Sequence, residues 1–255
     1  MRRSSMLLVV LGVVLIAAAA IFRFVVVPMA SKLPADAETT AQYVGKATML
    51  NPQALQAGDV ANALARDLDV TNDRHVHVSA TNGDTAVVHD DSTIRAGGQD
   101  LEDMHTYAID RTTMQAAPAP DGTEVEDHTG LTITLPINPS TGDSYTLWDP
   151  STQSSAPVTY VGEESRKGRE VNHYQATATG PLESVSLSSQ LPSALPRELA
   201  ARLVPLLPAG TQQQLQAASS ALPALTPLTY TATTAYGVWA DSQRDRRSRA
   251  PFIAP

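Results

Sequence analysis

The 255-residue chain has no cysteine. That excludes disulfides, thiolate zinc sites, cysteine nucleophiles, iron–sulfur ligation and the acylated cysteine of a lipoprotein. Aromatic residues make up 5%, and the three phenylalanines, Phe22, Phe24 and Phe252, all lie outside 33–251. Charged residues account for 17%, and lysine is scarce, three against fifteen arginines. Positive charge is short where it would matter most: residues 33–243 hold 25 acidic and 10 basic side chains, a net of −15. A body so acidic repels nucleic acid and anionic lipid, which excludes a nucleic-acid partner. Catalytic signatures are missing too: there is no Gly-x-Ser-x-Gly, Ser-x-x-Lys, His-Glu-x-x-His or phosphate-binding Gly-Lys loop.

One long hydrophobic run is present. Met6–Phe22 is apolar throughout, and after Arg23 the run resumes as Phe24–Val27 before Pro28. About 20 residues, rising about 1.5 Å each, cross the hydrocarbon core of a bilayer. Arg2 and Arg3 on the near flank put the N-terminus in the cytoplasm, and Arg23 can snorkel to the far interface. Residues 1–32 are therefore expected to form a single-pass plasma-membrane anchor contacting lipid, with the body outside the cytoplasm. Ala18-Ala19-Ala20 would suit signal cleavage, but the apolar character continues past it.

The body, 33–239, reads as β-rich. Residues 74–90 alternate apolar and polar on both sides of Asn82-Gly83, a strong hairpin signal. Further strands are expected at Asp103–Met114, Leu131–Leu135 (closed by Pro136) and Ser144–Trp148 (before Asp149-Pro150). Pro157–Glu163 and Glu170–Thr179 suggest a second hairpin, and Leu228–Trp239 a last strand. Seven tyrosines and two tryptophans suit sheets with one wet face. The segment 182–229 breaks this pattern, with four charges and no aromatic residue before Tyr230. Pro196 suits a first helical position, followed by an apolar stripe from Leu199 to Leu207; Pro208 and Gly210 stop it. Thr211 can cap a second helix carrying Leu215, Ala218 and Leu222. The expected fold class is mainly β (α+β): an antiparallel domain with a helical hairpin insert at about 196–222.

Candidate chemistry thins out on inspection. His75 and His77 lie on one strand face, the spacing of a two-ligand metal clip. A two-residue turn at Asn82-Gly83 would set His89 opposite Val76, on the other face, and deny the clip a third imidazole. Asp67, Asp69, Asn72 and Asp73 resemble a calcium loop only faintly, since the sixth position is Asn72 and the twelfth Val78. Gly142-Asp143-Ser144 echoes an esterase triplet, yet no Asp-x-x-His follows it to supply a base. No catalytic residue, metal ligand or cofactor is expected.

Three stretches are similar to an actinobacterial envelope family labelled porin PorA, known mainly as a domain of unknown function. They are Tyr107-Ala-Ile-Asp-Arg111; Gly130-Leu131 through Leu135-Pro136 to Ser144-Tyr145-Thr-Leu-Trp148-Asp149; and Ala156-Pro-Val-Thr-Tyr160-Val-Gly162-Glu163-Glu164, with Gly168 and Tyr174. The resemblance implies an N-terminal membrane helix, an exported β-rich domain and commonly a second membrane helix near the C-terminus. It implies no catalytic residues. After Tyr236-Gly-Val-Trp239 the chain departs from it: Ala240–Pro255, with Arg244, Arg246, Arg247 and Arg249, is expected to be an unstructured basic tail. A β-barrel pore needs strands of about 9–11 residues bearing an outward apolar band. Strands here are expected to be short, rich in Thr and Ser and broken by Pro. The expected function is a non-enzymatic, membrane-anchored envelope protein whose exported domain binds a partner or an apolar envelope component. The alternative is a pore-forming envelope protein.

Overall fold

A computed structural model describes residues 32–241, apart from 58, 138, 190 and most of 198–224. The N-terminal span, most of the helical pair and the tail beyond Asp241 lie outside the described residues. Among those described, no helix is long and apolar enough to cross a membrane.

Among the described residues, ten strands, two short α-helices and one 3-10 turn (Val60–Asn62, after α1) follow one another as β1 (Glu38–Leu50), α1 (Pro52–Ala57), β2 (Leu64–Asn82), β3 (Thr85–Ala96), β4 (Gln99–Asp110), β5 (Tyr145–Asp149), β6 (Ser154–Arg166), β7 (Arg169–Pro181), α2 (Val185–Ser188), β8 (Ala194–Pro196), β9 (Leu225–Pro227) and β10 (Thr231–Asp241). Two four-stranded antiparallel sheets result, ordered β1-β2-β3-β4 and β10-β7-β6-β5, with β8-β9 as a separate ribbon. The mainly β, antiparallel reading holds. Tight turns make the hairpins: Gly83 at φ +61°, Gly97-Gly98 at +58° and +80°, and Lys167-Gly168 at +51° and +77°. Positive φ at such turns matches the twist of the flanking strands.

Three expectations about the strands need correction. They are long, not short: β2 has 19 residues, and β1, β6 and β7 have 13 each. Strand length is therefore no argument against a membrane-spanning barrel. Glu38–Leu50 was not anticipated as a strand, because its Thr, Gln and Gly carry a weak alternation that only pairing with β2 fixes. Leu131–Leu135 is not a ladder strand. It runs extended between the sheets, where Leu131 bridges Gln115 on one side and Leu147 on the other.

That segment is the seam of the molecule. Ile109 at the end of β4 bridges Ala116, Gln115 bridges Leu131, and Leu131 bridges Leu147 in β5, so the two sheets join edge to edge through it. Leu131, Ile133 and Leu135 are buried, and so are Thr132 and Thr134 between them. A strand buried on both faces loses its alternation of exposure. Gly130 leads into the seam at φ +74°, and a Cβ there would stand 2.5 Å from Thr146 Oγ1. Only glycine fits that approach. Inner-face Val76, Val88, Tyr107 and Ile109 of one sheet share a single core with Leu147, Tyr174, Ala176 and Val238 of the other.

Two boundaries shift. β10 continues past Trp239 through buried Ala240 to Asp241, whose carboxylate accepts from Arg169 Nη2 at 2.7 Å, so the expected tail loses its first two residues to the sheet. In the insert, Pro196 ends β8 and pairs with Leu225, and Leu228–Tyr230 precede the last strand. The insert opens on α2, capped by Ser184 Oγ accepting from Leu187 N at 3.3 Å.

Candidate functional site: the cleft between the sheets

The inner faces are apolar at one end and polar at the other. Along β2 the inward series Val78, Val76, Arg74, Asn72 changes character halfway; β3 does the same from Val88 to Asp90 and Ser92, and β4 from Tyr107 to His105 and Asp103. Strand period alone stacks these polar groups in one layer. They border a cavity of about 170 Å³ walled on the far side by Trp148, Thr234 and Tyr236. A wider hollow of about 560 Å³ runs along the β4 edge and has Glu102, Asp103, Glu126 and Asp127 in its lining. Both are lined by Asp103, His105, Trp148 and Pro150, so they form one cleft.

Its inner charges are paired. Arg74 and Asp90, with side chains only 10% and 13% exposed, form a two-pronged bridge, Nε to Oδ1 at 2.7 Å and Nη2 to Oδ2 at 2.5 Å. Burial opposes the Arg74 charge, and Asp90 more than restores it, leaving its pKa above the usual range. His105 Nδ1 lies 2.8 Å from Glu126 Oε2, and its Nε2 lies 3.3 Å from Asp103 Oδ2. Ser186 Oγ in α2 donates to Asp103 at 2.5 Å, which ties the insert to β4. Burial pushes the Asp103 carboxyl up, and His105 and Ser186 pull it down further, below the usual range. Tyr107 is buried, and both burial and the carboxylates around it raise its hydroxyl pKa. Opposite, Tyr236 donates to Asp149 Oδ1 at 2.5 Å, and burial raises its pKa as well. Asp149, buried at the end of β5, also accepts from Thr152 N at 3.0 Å and Thr152 Oγ1 at 2.6 Å.

His105 is the titrating group of this cleft. Burial alone would lower its pKa, but the Asp103 and Glu126 carboxylates outweigh burial and hold it up at about 10. With the folded value above the ordinary 6.5, its stabilisation is complete below about pH 6.5 and lost as pH rises through about 10. Unfolding free energy should fall by about 2 kcal/mol across that window, a figure reduced for partial solvent exposure. Denaturation curves at about pH 6, 8 and 10 test this. His105→Gln should flatten the slope, and an unaltered slope in the variant would contradict the assignment.

Among the candidate ligands singled out from the sequence, Asn72 lines the cleft and the others lie outside its lining. Asp67, Asp69, Asn72 and Asp73 lie along β2 and not in a loop; Asp69 pairs with Lys46 at 2.5 Å, and Asp73 with Arg95. Of the resemblance motifs, Tyr107 and Trp148 line the cleft, and several other residues have structural roles. Asp110 caps the turn after β4 through Thr112 N at 2.9 Å and Thr113 N at 2.7 Å. Arg111 Nε donates to Leu33 O at 2.8 Å and its Nη1 to Gly83 O at 3.2 Å, binding chain entry to a hairpin tip. Gly162 marks a bulge in β6.

The histidines require the largest correction. The turn is Gly83-Asp84, with Asn82 opposite Thr85, and a bulge follows between Val78 and Ala80. His89 consequently faces His77, not Val76, and Asp91 faces His75. All three imidazoles share the outer face of the first sheet, stacked at 4.7 Å (His75–His77) and 5.0 Å (His77–His89). The cleft has no motif of its own in the sequence; Arg74, Asp90 and His105 take inward positions on strands that carry charges on both faces.

Fold and cleft together define a two-sheet antiparallel β protein with an internally paired polar site. Residues 4–243 match the family model for Porin PorA, and the chain belongs to that family, which makes it a porin-like protein of the cell envelope. No curated protein matches it.

Proposed function

We propose that this chain is a non-enzymatic envelope protein, held in the plasma membrane by residues 1–32, whose exported body receives a partner in the inter-sheet cleft. The observation that carries this reading is the outer face of the first sheet. Lys46, Asp73, His75, His77, His89, Asp91, Arg95 and Glu102 stand on it. A lipid-facing strand wall would carry an apolar band there, and each Lys or Arg at the bilayer midplane would cost about 2–4 kcal/mol, each Asp or Glu somewhat less. The inner faces meet in a packed core and leave no lumen at its apolar end. The cleft rim, with Glu102, Glu126 and Asp127, suits a partner bearing a cationic group, and Trp148 offers an aromatic wall for its carbon skeleton. Charged lining favours such a partner over a purely apolar envelope component. Nucleic acid is repelled.

A pore made by the N-terminal segments of several copies is the second reading, favoured by the family's description as porins. One experiment separates them. The full chain, purified in detergent, is reconstituted into vesicles and planar bilayers. The expected result is flotation with the vesicles without stepwise conductance. Reproducible single-channel steps that vanish when residues 1–31 are removed would establish the pore instead.

A further inference from the structure

We propose that the outer face of the first sheet holds a divalent transition cation of the zinc class, bound by His75, His77 and Asp91. This site is separate from the cleft, which lies on the opposite face. One ligand atom from each of the three residues lies within 4.8 Å of the other two. His75 and His77 are two apart on β2, and Asp91 is the cross-strand partner of His75 in β3. A tetrahedral zinc ion about 2.0–2.2 Å from each donor separates them by about 3.4 Å. The difference, at most about 1.4 Å, is of the size that side-chain rotation supplies at half-buried positions.

Three further observations point to a ligand. His77 Nδ1 is buried and has no hydrogen-bond partner among the described residues, a state that costs about 1–3 kcal/mol unless something satisfies it. Glu38 Oε1 lies 2.8 Å from His75 Nε2, the carboxylate contact that orients metal-bound imidazoles. His89 stacks on His77 and has its own Nδ1 3.1 Å from Thr106 Oγ1, so the ring beside the site is held in place. Imidazole nitrogens with one carboxylate, and no thiolate anywhere in the chain, match zinc-class ions better than calcium or magnesium, which prefer all-oxygen shells. Glu38 and the net negative body favour a cation. Three protein ligands leave the fourth position to water.

The test uses the full chain, purified in detergent with a tag free of histidine and stripped with a chelator. Titration with zinc chloride should show saturable binding of one Zn²⁺ per chain and a melting temperature raised by several degrees. Co²⁺ in its place should give the visible absorption of a four-coordinate nitrogen–oxygen site. His75→Ala/His77→Ala should abolish binding, and Asp91→Asn should weaken it at least about tenfold. His173→Ala, on the other sheet, should leave it unchanged. These positions are half-buried on outer sheet faces and outside the shared core, so metal-free melting temperatures report whether each variant folds. Absence of saturable binding in the parent chain, or equal binding by the folded double variant, would overturn the proposal.

Discussion

Asp90→Ala should lower the unfolding free energy by about 3–5 kcal/mol, because it strands the Arg74 guanidinium in the cleft without its carboxylate. Both side chains are nearly buried, and their two parallel hydrogen bonds, at 2.7 and 2.5 Å, form the strong fork-to-fork type. Tyr43 also touches the Arg74 charge and softens the loss without replacing a full negative charge. Exposed Arg95, which pairs with Asp73 and Asp100, is the contrast. Arg95→Ala should cost well under about 1 kcal/mol, since water takes over there. Replacing Arg74 and Asp90 together by Met and Leu should restore most of the stability, as buried pairs are often no better than packed hydrocarbon. Thermal denaturation of the three variants measures all of this. Equal losses for Asp90→Ala and Arg95→Ala would refute the weight given to burial.

Leu131→Ala should cost about 3–5 kcal/mol, the upper half of the range for a buried leucine truncation. The site can collapse little. Leu131 has no exposed surface, and its backbone is pinned by bridges to Gln115 and Leu147 and by Trp148 N donating to its carbonyl at 2.7 Å. Truncation opens a cavity where the two sheets meet, so it should loosen both at once. Ile133→Val, two residues along the same segment, should cost only about 1 kcal/mol. Chemical denaturation gives both values. A Leu131→Ala loss no greater than that of Ile133→Val would show that the seam is not what couples the sheets.

Much of the fold was readable residue by residue. Pro157–Glu163 and Glu170–Thr179 form the hairpin expected of them, as parts of β6 and β7, and the alternation in Asp103–Met114 marks the strand observed as β4, which starts earlier at Gln99 and ends at Asp110. The motifs around Tyr107, Trp148 and Gly162 pointed to the right family. Their roles as turn caps, a chain-entry clamp and a bulge became visible only in three dimensions. β1 escaped notice because Glu38–Leu50 has little alternation of its own and is stabilised by its partner.

Composition and local pattern alone determined that the body is acidic, antiparallel and mainly β, because charge balance, turn glycines and period-two alternation act over a few residues. Tertiary structure decided which side chains meet. A bulge between Val78 and Ala80 and a one-residue shift of the adjoining turn carried His89 from the face of Val76 to that of His77. Strand side chains alternate, so one residue of slip transfers a whole series between core and solvent, and no local signal encodes that slip. The cleft arose the same way. Arg74, Asp90 and His105 are far apart in the chain, and their pairing depends on register across three strands and on the second sheet closing over them.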